Sequence, residues 1–228
     1  MNRRFYPIYI FLSFYFLFLV ACKKNDSGEI LPANIKCINA SPNAPAINYL
    51  YNNEVFSGNM VFNDVSAYIP LAPATSKLGI SDSSITLSSF FTTLQPRLYY
   101  SLFAIDSFSK LSMAMVSDAF TIPPGDSSSV RFFHFSPDAS YIITTLENSI
   151  DTFYLGTRQF NDQNTLSIYN TFNKIPSGNY NLHMQTNDST IISTPFNFIG
   201  GKVYTIYAKG FLHGIGNAAL GAALIEHN

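Results

Sequence analysis

The chain contains an internal repeat, which points to an architecture of two similar units. Three pairs of segments match in the same order along the sequence: 35–44 with 130–139, 62–64 with 160–162, and 97–104 with 202–208. The first pair reads IKCINASPNA against VRFFHFSPDA, and the second reads FND in both copies. These ordered matches indicate a duplicated unit of about 95 residues, which is a usual size for a small β-sandwich.

Apolar and polar residues alternate with a period of two through most of the chain, as they do in half-buried strands. Six segments are rich in β-branched and aromatic residues: 35–39, 47–51, 99–105, 130–135, 180–185 and 203–208. Asn52 and Asn53 predict a two-residue hairpin after the second segment, because asparagine tolerates positive φ. We therefore predict an all-β fold of two tandem immunoglobulin-like antiparallel β-sandwich domains.

The N-terminal region resembles the signal peptide of a bacterial lipoprotein. An apolar run over residues 5–18 follows Arg3 and Arg4 and ends in the box Leu-Val-Ala-Cys at 19–22. A membrane-spanning helix is the alternative, but it needs about 20 apolar residues and this run is shorter. We expect residues up to Ala21 to be removed and Cys22 to carry a diacylglyceryl thioether. The mature chain would then be held at a membrane by its first residue.

Composition divides the expected mature chain into a tether and two folded parts. Residues 22–32 are polar and aperiodic, which is typical of a flexible tether. The first sandwich is predicted over 33–122 and the second over 130–228. Residues 123–129 combine two prolines, a glycine and a run of serines, so we interpret them as a solvated linker between separately folding domains.

Charge and cysteine content exclude several classes of function. The formal net charge is −1 and only 12% of the residues are charged, so the chain lacks the basic surface that binding to nucleic acid requires. The two cysteines are Cys22 and Cys37. With Cys22 lipidated, Cys37 has no disulfide partner and is expected to be a small buried residue in an early strand.

Two motifs of the first copy carry a family resemblance, NASPNAPA at 39–46 and FNDVSAY at 62–68. Both are similar to a bacterial extracytoplasmic family, domain of unknown function 4397, and the similarity covers most of 33–118. It extends more weakly over 129–226, where Ser-Tyr at 140–141 replaces the Pro-Ala that completes the motif. The resemblance implies a secreted or surface β-domain, often duplicated, and it supplies no catalytic residues.

The Ser-Pro-Asn and Ser-Pro-Asp segments are the candidate functional loops. Six residues occupy equivalent places in the two copies: Ser41, Pro42, Asn43, Ser136, Pro137 and Asp138. Proline ends a strand because it lacks the backbone N–H donor, and Asn or Asp caps a turn through its side chain. Two interpretations stay open at this point: a structural turn at one end of each sandwich, or a loop that contacts a ligand.

Two further signals concern the surface. The segment Asp188-Ser189-Thr190 resembles a pattern on which some bacteria attach O-glycans, which makes Ser189 a candidate site of O-glycosylation. Tyrosine is abundant, and some tyrosines are expected to be exposed stacking platforms for sugar rings, while most pack with one ring face in the core.

No motif predicts catalysis, a cofactor or a metal site. The segment GIGNAA at 214–219 imitates a dinucleotide-binding loop, but too few residues follow it for a βαβ unit, so we interpret it as a glycine-rich hairpin. Asp64 and Asp162 of the FND repeats are expected to shape turns. None of the four histidines has the spacing of a metal ligand: His134, His183, His213 and His227. The chain is therefore predicted not to be an enzyme.

Two classes of function remain. The first is a lipid-anchored, non-enzymatic protein of the outer membrane that binds a glycan or an envelope protein, or serves in adhesion. The second is an accessory subunit of an envelope system for polysaccharide uptake or secretion. Lys23 follows the lipidated cysteine where aspartate would retain a lipoprotein at the inner membrane, which favours the outer membrane. Whether the protein faces the periplasm or the cell surface stays open.

Overall fold

A computed structural model describes residues 30–83 and 85–228. The predictions of a signal peptide over 1–21 and of lipidation at Cys22 lie outside the described residues, as does most of the predicted tether. Within the described residues, no helix is long and apolar enough to cross a bilayer.

The described residues of the first half form eight strands: β1 (Ala33–Asn39), β2 (Ile47–Tyr51), β3 (Glu54–Met60), β4 (Val65–Leu71), β5 (Thr75–Ser81), β6 (Thr86–Thr93), β7 (Tyr99–Ile105) and β8 (Ser112–Ser117). They form two four-stranded sheets. The strand order is β3-β2-β5-β6 in one sheet and β4-β1-β7-β8 in the other.

The second half contains eight strands in the same arrangement: β9 (Ser127–His134), β10 (Tyr141–Glu147), β11 (Thr152–Gln159), β12 (Asn173–Pro176), β13 (Gly178–Thr186), β14 (Ile191–Phe198), β15 (Val203–Lys209) and β16 (Gly221–Glu226). Its sheets have the orders β11-β10-β13-β14 and β12-β9-β15-β16, which repeat those of the first half strand for strand. The prediction of two tandem all-β sandwiches is confirmed. Short 3-10 helices lie in the connections: Phe108–Lys110, Asp162–Asn164, Ser167–Asn170 and Gly216–Ala218.

One strand pair in each half departs from the predicted antiparallel pattern. Strand β1 runs parallel to β7, and β9 runs parallel to β15. The chain leaves β1 for the other sheet and returns many residues later, and such a crossover allows parallel pairing.

The sheets β4-β1-β7-β8 and β12-β9-β15-β16, which we call the inner sheets, are buried on both faces. Along β1, Ile35 packs into the core of the first sandwich, whereas Ile38 packs into a separate apolar layer that both halves share. Strands buried on two sides are expected to be almost continuously apolar. This burial explains runs such as YYSLFAI in β7, where every residue after the first is buried.

The shared layer joins the two inner sheets face to face. Phe103 of the first half lies at its centre, with its ring centroid 4.8 Å from that of Phe135 and 5.8 Å from that of Tyr207. The other first-half residues of the layer are Ile38, Ala40, Ile105, Ala114 and Val116. Residues Leu31–Asn228 accordingly form one compact unit.

The segment between the halves differs from the solvated linker predicted over 123–129. Strand β9 begins at Ser127, three residues before the predicted start of the second sandwich, and Ser127, Ser128 and Ser129 are buried. The hydroxyl of Ser128 donates a hydrogen bond to the carbonyl of Ile199 (2.8 Å), and β12 and β15 pair with β9 on either side. These serines are therefore part of an inner sheet.

The turns predicted from asparagine and aspartate are present. Asn52 and Asn53 both have positive φ, 52° and 71°, as the two-residue hairpin requires. In the FND repeats, the Asp64 carboxylate accepts a hydrogen bond from the Val61 amide (2.8 Å), and the Asp162 carboxylate accepts one from the Gln159 amide (2.9 Å). The two acids shape equivalent turns in the two halves.

Candidate functional site

The Ser-Pro-Asn and Ser-Pro-Asp loops hold the connection between the last two strands of each half. The Asn43 side chain accepts a hydrogen bond from the amide of Phe108 (2.7 Å), and the Asp138 side chain accepts one from the amide of Leu212 (2.7 Å). Ser41 is fully buried, and its hydroxyl donates to the carbonyl of Asp106 (2.6 Å). The Asn43 and Asp138 side chains thus accept equivalent hydrogen bonds within the two halves. This arrangement favours a structural turn over a ligand-binding loop.

The prolines and the second serine fit the same interpretation. Pro42 is buried and Pro137 is half-buried. Ser136 is fully buried, and its hydroxyl lies 3.4 Å from the Asp138 carboxylate. None of these three residues presents a polar group to solvent, so the loop residues left at the surface are Asn43 and Asp138.

His134 is the counterpart of an asparagine. In the first half, the Asn39 side chain accepts a hydrogen bond from the Ser41 amide (3.1 Å), and in the second, His134 Nδ1 lies 3.2 Å from the Ser136 amide. His134 Nε2 lies 3.1 Å from the carbonyl oxygen of Ala139, to which it donates. Both ring nitrogens are therefore used inside the fold.

Ser189 lies in the hairpin between β13 and β14, is exposed and has a positive φ of 66°. The neighbouring Asp188 carboxylate accepts hydrogen bonds from the Thr186 hydroxyl (2.5 Å) and the Thr190 amide (3.0 Å). These bonds, the one from the Thr186 hydroxyl first, lower the pKa of Asp188 to about 2. The turn is thus held in a fixed shape with Ser189 accessible, and its O-glycosylation stays a prediction.

A buried ring of polar side chains joins the two halves. Tyr68 and Asp118 come from the first half, and Arg131, Thr205 and His227 come from the second. Arg131 donates from Nη2 to the Asp118 carboxylate and from Nε to the Thr205 hydroxyl (2.8 Å). His227 lies 2.7 Å from the Thr205 hydroxyl through Nε2 and 2.7 Å from the Tyr68 hydroxyl through Nδ1. Tyr68 closes the ring by donating to Asp118 (2.7 Å).

One arrangement of protons satisfies every member of this ring. Tyr68 donates to Asp118, so its oxygen accepts from His227 Nδ1–H. The free Nε2 of His227 then accepts from the Thr205 hydroxyl, whose oxygen accepts from Arg131. Neutral histidine with the proton on Nδ1 is the form that fits, as inferred from the partners. Burial, with a smaller contribution from Asp118, raises the pKa of Tyr68, which keeps this hydroxyl a donor.

The ring is part of a pseudo-twofold interface. Lys36 pairs with Ser101 in the register of its sheet as Arg131 pairs with Thr205 in the other. Across the interface, Lys36 donates to the carbonyl of Glu226 (2.6 Å), and Arg131 donates to the carbonyl of Ser117 (2.9 Å). Strand register makes Glu226 and Ser117 equivalent as well. The two halves thus meet as the subunits of a twofold dimer do, each using the same face.

Acid and base groups meet in this ring, yet they are closed off from any substrate. Asp118, Arg131 and His227 are only 3%, 1% and 7% exposed, and each bonds to other members of the ring. A buried charge left without its partner costs several kcal/mol, so a complete network is a strong constraint on how the halves pack. The ring serves to fix the interface.

The solvent face of the sheet β11-β10-β13-β14 carries an open groove of about 690 Å³. We call it the asparagine groove, since Asn179, Asn181 and Asn197 line it with Glu147 and Phe196. In the strand register, Asn179 lies opposite Asn197, and Asn181 lies between Glu147 on one neighbouring strand and Pro195 on the other. The volume falls within the range of about 300–1,000 Å³ that is usual for ligand pockets.

The three asparagine side chains of the groove are exposed and make no hydrogen bond within the described part of the chain. The alternate residues of β13 explain why they point outward: Tyr180, Leu182 and Met184 are buried in the core of the second sandwich. The groove thus combines a rigid backbone with unused polar side chains, a combination suited to binding a ligand.

The equivalent face of the first half lacks this feature. Strand register places Thr75, Lys77 and Thr93 where the second half has Asn179, Asn181 and Asn197. The Thr75 and Thr93 hydroxyls are hydrogen-bonded to each other (2.9 Å). The groove is therefore a property of the second half alone and is not required by the fold.

Comparison with known proteins supports the resemblance noted in the first copy. Residues 33–145 match the family model described as "Domain of unknown function (DUF4397)". The match covers the first sandwich and reaches into β10 of the second, so this segment of the chain is DUF4397-like. No curated protein matches the chain. In the described residues, no group of three or more His, Cys, Asp or Glu side chains is arranged to hold a metal ion.

The buried histidines make stability depend on pH. Burial lowers the pKa of His134 and that of His227 from 6.5 to about 4. The unfolded chain therefore binds more protons than the folded chain between these two values, and stability falls as the pH drops through them. Each histidine is expected to account for up to about 3 kcal/mol of the free energy of unfolding, present above pH 6.5 and lost by pH 4.

We predict that His134→Asn reduces the dependence of the free energy of unfolding on pH. Asparagine does not titrate, and Asn39 makes the equivalent hydrogen bond in the first half. Urea unfolding at neutral pH and near pH 4.5 should show that the variant loses about 2 kcal/mol less stability than the wild type on acidification. His213→Gln is the control, since the His213 side chain is 79% exposed. If the wild type and His134→Asn lost equal stability on acidification, His134 would not be a source of the pH dependence.

Proposed function

We propose that this protein is a lipid-anchored, non-enzymatic binding module of the bacterial outer membrane. The observation that carries the proposal is the asparagine groove, a surface on rigid strands whose side-chain amides have no partner within the described part of the chain. The fused interface supports it, since the buried ring and the shared apolar layer hold that surface in a fixed orientation relative to the start of β1 at Ala33.

The proposed anchor follows from the sequence before the fold. The lipoprotein box ends at Cys22, and β1 begins at Ala33. An extended chain spans at most about 3.3–3.6 Å per residue, so such a tether would keep the sandwiches within about 40 Å of the bilayer. A ligand caught by the groove would be retained close to the membrane.

The anchor is tested by Cys22→Ser, with Cys37→Ala as the matched control because Cys37 is buried in β1 and free. A diacylglyceryl group contributes about 0.8 kcal/mol per buried methylene, so its loss is expected to release the protein from membranes completely. Detergent-phase partition and incorporation of labelled fatty acid measure the effect. A Cys22→Ser protein that still partitions fully into the detergent phase would overturn the lipoprotein assignment.

A further inference from the structure

We propose that the asparagine groove binds a neutral glycan. The inference rests on the proposed binding function and names its ligand class and its site. The residues that carry it are Asn179, Asn181, Asn197, Pro195 and Glu147.

The donor and acceptor content of the groove matches a polyhydroxylated ligand. Each asparagine amide offers two donors and one acceptor oxygen, and a hydroxyl group likewise both donates and accepts. Asn179, Asn181 and Asn197 therefore present three amides of this kind to one space. Because none is bonded within the described part of the chain, a ligand gains these bonds without breaking internal ones.

The spacing of the amides is set by the sheet. Asn179 and Asn197 are direct cross-strand neighbours, with Cβ atoms about 4.5–5.5 Å apart in such pairs. Asn181 lies two residues along β13 on the same face. These separations are on the scale of the hydroxyl groups around one or two pyranose rings, so adjacent hydroxyls of a sugar can reach different amides.

Charge and backbone pairing argue against other ligands. Among the described residues, Glu147 is the one charged residue that lines the groove, and it lies 3.3 Å from His183. A groove with one acid and no basic side chain does not favour a phosphate or an acidic polysaccharide. Asn179 and Asn181 lie on β13, which is paired with both β10 and β14, so a peptide cannot add as a strand at their position; the nearer free edge of the sheet is on the far side of β14.

An apolar surface and a continuation of the groove complete the argument. The exposed ring of Pro195 lines the groove on the same face as Asn181 and Asn197 and offers an apolar surface for the C–H groups of a sugar. Glu147 also borders a smaller depression of about 260 Å³, lined by Thr145, His183 and Gln185 on the same sheet. A surface that extends in this way suits a segment of a chain molecule.

The test uses the full mature chain, without its lipid, and two panels of probes. Dextran, xylan, galactomannan and laminarin are the neutral polysaccharides, while alginate and polygalacturonate are the anionic ones. We expect at least one neutral probe to retard the protein in affinity electrophoresis. Oligosaccharides of that probe should shift the side-chain amide resonances of Asn179, Asn181 and Asn197.

Substitution separates the groove from the rest of the surface. Asn179→Ala/Asn181→Ala/Asn197→Ala is expected to weaken binding at least about tenfold, since each lost hydrogen bond contributes about 0.5–1.5 kcal/mol. Thr75→Ala/Thr93→Ala alters the equivalent face of the first half and should leave binding unchanged. Circular dichroism verifies the fold, and if the triple variant unfolds, Asn197→Ala alone should weaken binding measurably.

Three outcomes would overturn the glycan proposal. These are no shift of the three amide resonances with any neutral probe, stronger binding to the anionic probes, or binding that survives the asparagine substitutions. A protein that occupies the groove in place of a glycan would also contradict it. These results leave the anchor untouched, because Cys22→Ser tests that part of the proposed function by membrane partition alone.

Discussion

Arg131→Ala is expected to lower the free energy of unfolding by about 3–5 kcal/mol, because the substitution leaves Asp118 buried without its cation. Both side chains of this pair are inaccessible to solvent. The Arg131 guanidinium also donates to Thr205 and to the carbonyl of Ser117, and it lies over the ring of Phe172 at 4.3 Å. Thermal or guanidinium unfolding measures the loss, which corresponds to a decrease in Tm of roughly 10 °C for a domain of this size.

A double substitution distinguishes two causes of this destabilisation: an unpaired buried charge at Asp118, and the loss of the contacts that Arg131 makes. Asp118→Asn/Arg131→Met removes both charges and is expected to cost less than Arg131→Ala, since no isolated buried charge remains. Lys110→Ala, at an exposed lysine in the connection before β8, serves as the control and should change stability little. If Arg131→Ala were as mild as Lys110→Ala, the buried ring would have no part in fixing the interface.

Local sequence patterns were sufficient to predict the strands and turns of the two sandwiches. Strands β2 and β7 begin and end where the alternation of residues predicts, and the hairpin at Asn52 and Asn53 follows from the tolerance of asparagine for positive φ. The interface between the halves was missed, because its polar members are far apart in sequence and polar residues in strands are usually exposed. The signal that was available is the nearly continuous apolar run in β7, interrupted by Ser101 alone, which a sheet with one solvated face does not need.

Part of the asparagine groove could also be predicted from the sequence. On the predicted strand 180–185, the positions of Tyr180 and Leu182 mark the core face, so Asn181 and Asn179 must point the other way. Asn197 is different, because only the register between β13 and β14 places it opposite Asn179. A pairing register depends on hydrophobic faces and turn geometry together, and neither was defined for β14 by its mixed sequence.

The first half produced alone, as residues 31–119, is expected to form a dimer and not the folded monomer that separate domains would give. Without the second half, its inner sheet would expose Ile38, Phe103 and Ile105, which are fully buried in the whole chain. A contiguous apolar patch exposed by these side chains would drive association with another chain. Because the interface is pseudo-twofold, a second copy of the first half presents the same face that the second half does.

The charged residues at the interface determine which half is expected to form a homodimer. In a dimer of first halves, Lys36 of each copy would take the place of Arg131 and face Asp118 of the other, so both cations find an acid. In a dimer of second halves, Arg131 would face His227, the residue at the position equivalent to Asp118, and no carboxylate would be available there. We therefore expect residues 31–119 to dimerise and residues 120–228 to aggregate or remain unfolded.

Sedimentation and light scattering measure the mass of each fragment, and urea unfolding at several protein concentrations shows whether dimerisation and folding are linked. Phe103→Asp places a charge at the centre of the shared layer and should abolish the dimer of 31–119, whereas Phe91→Asp, on an exposed position of β6, should not. Lys36→Met should weaken the dimer by leaving Asp118 unpaired in each copy. A monomeric 31–119 with a cooperative melt would show that the sandwiches fold separately, as composition alone suggests, and that the interface forms only after each half is complete.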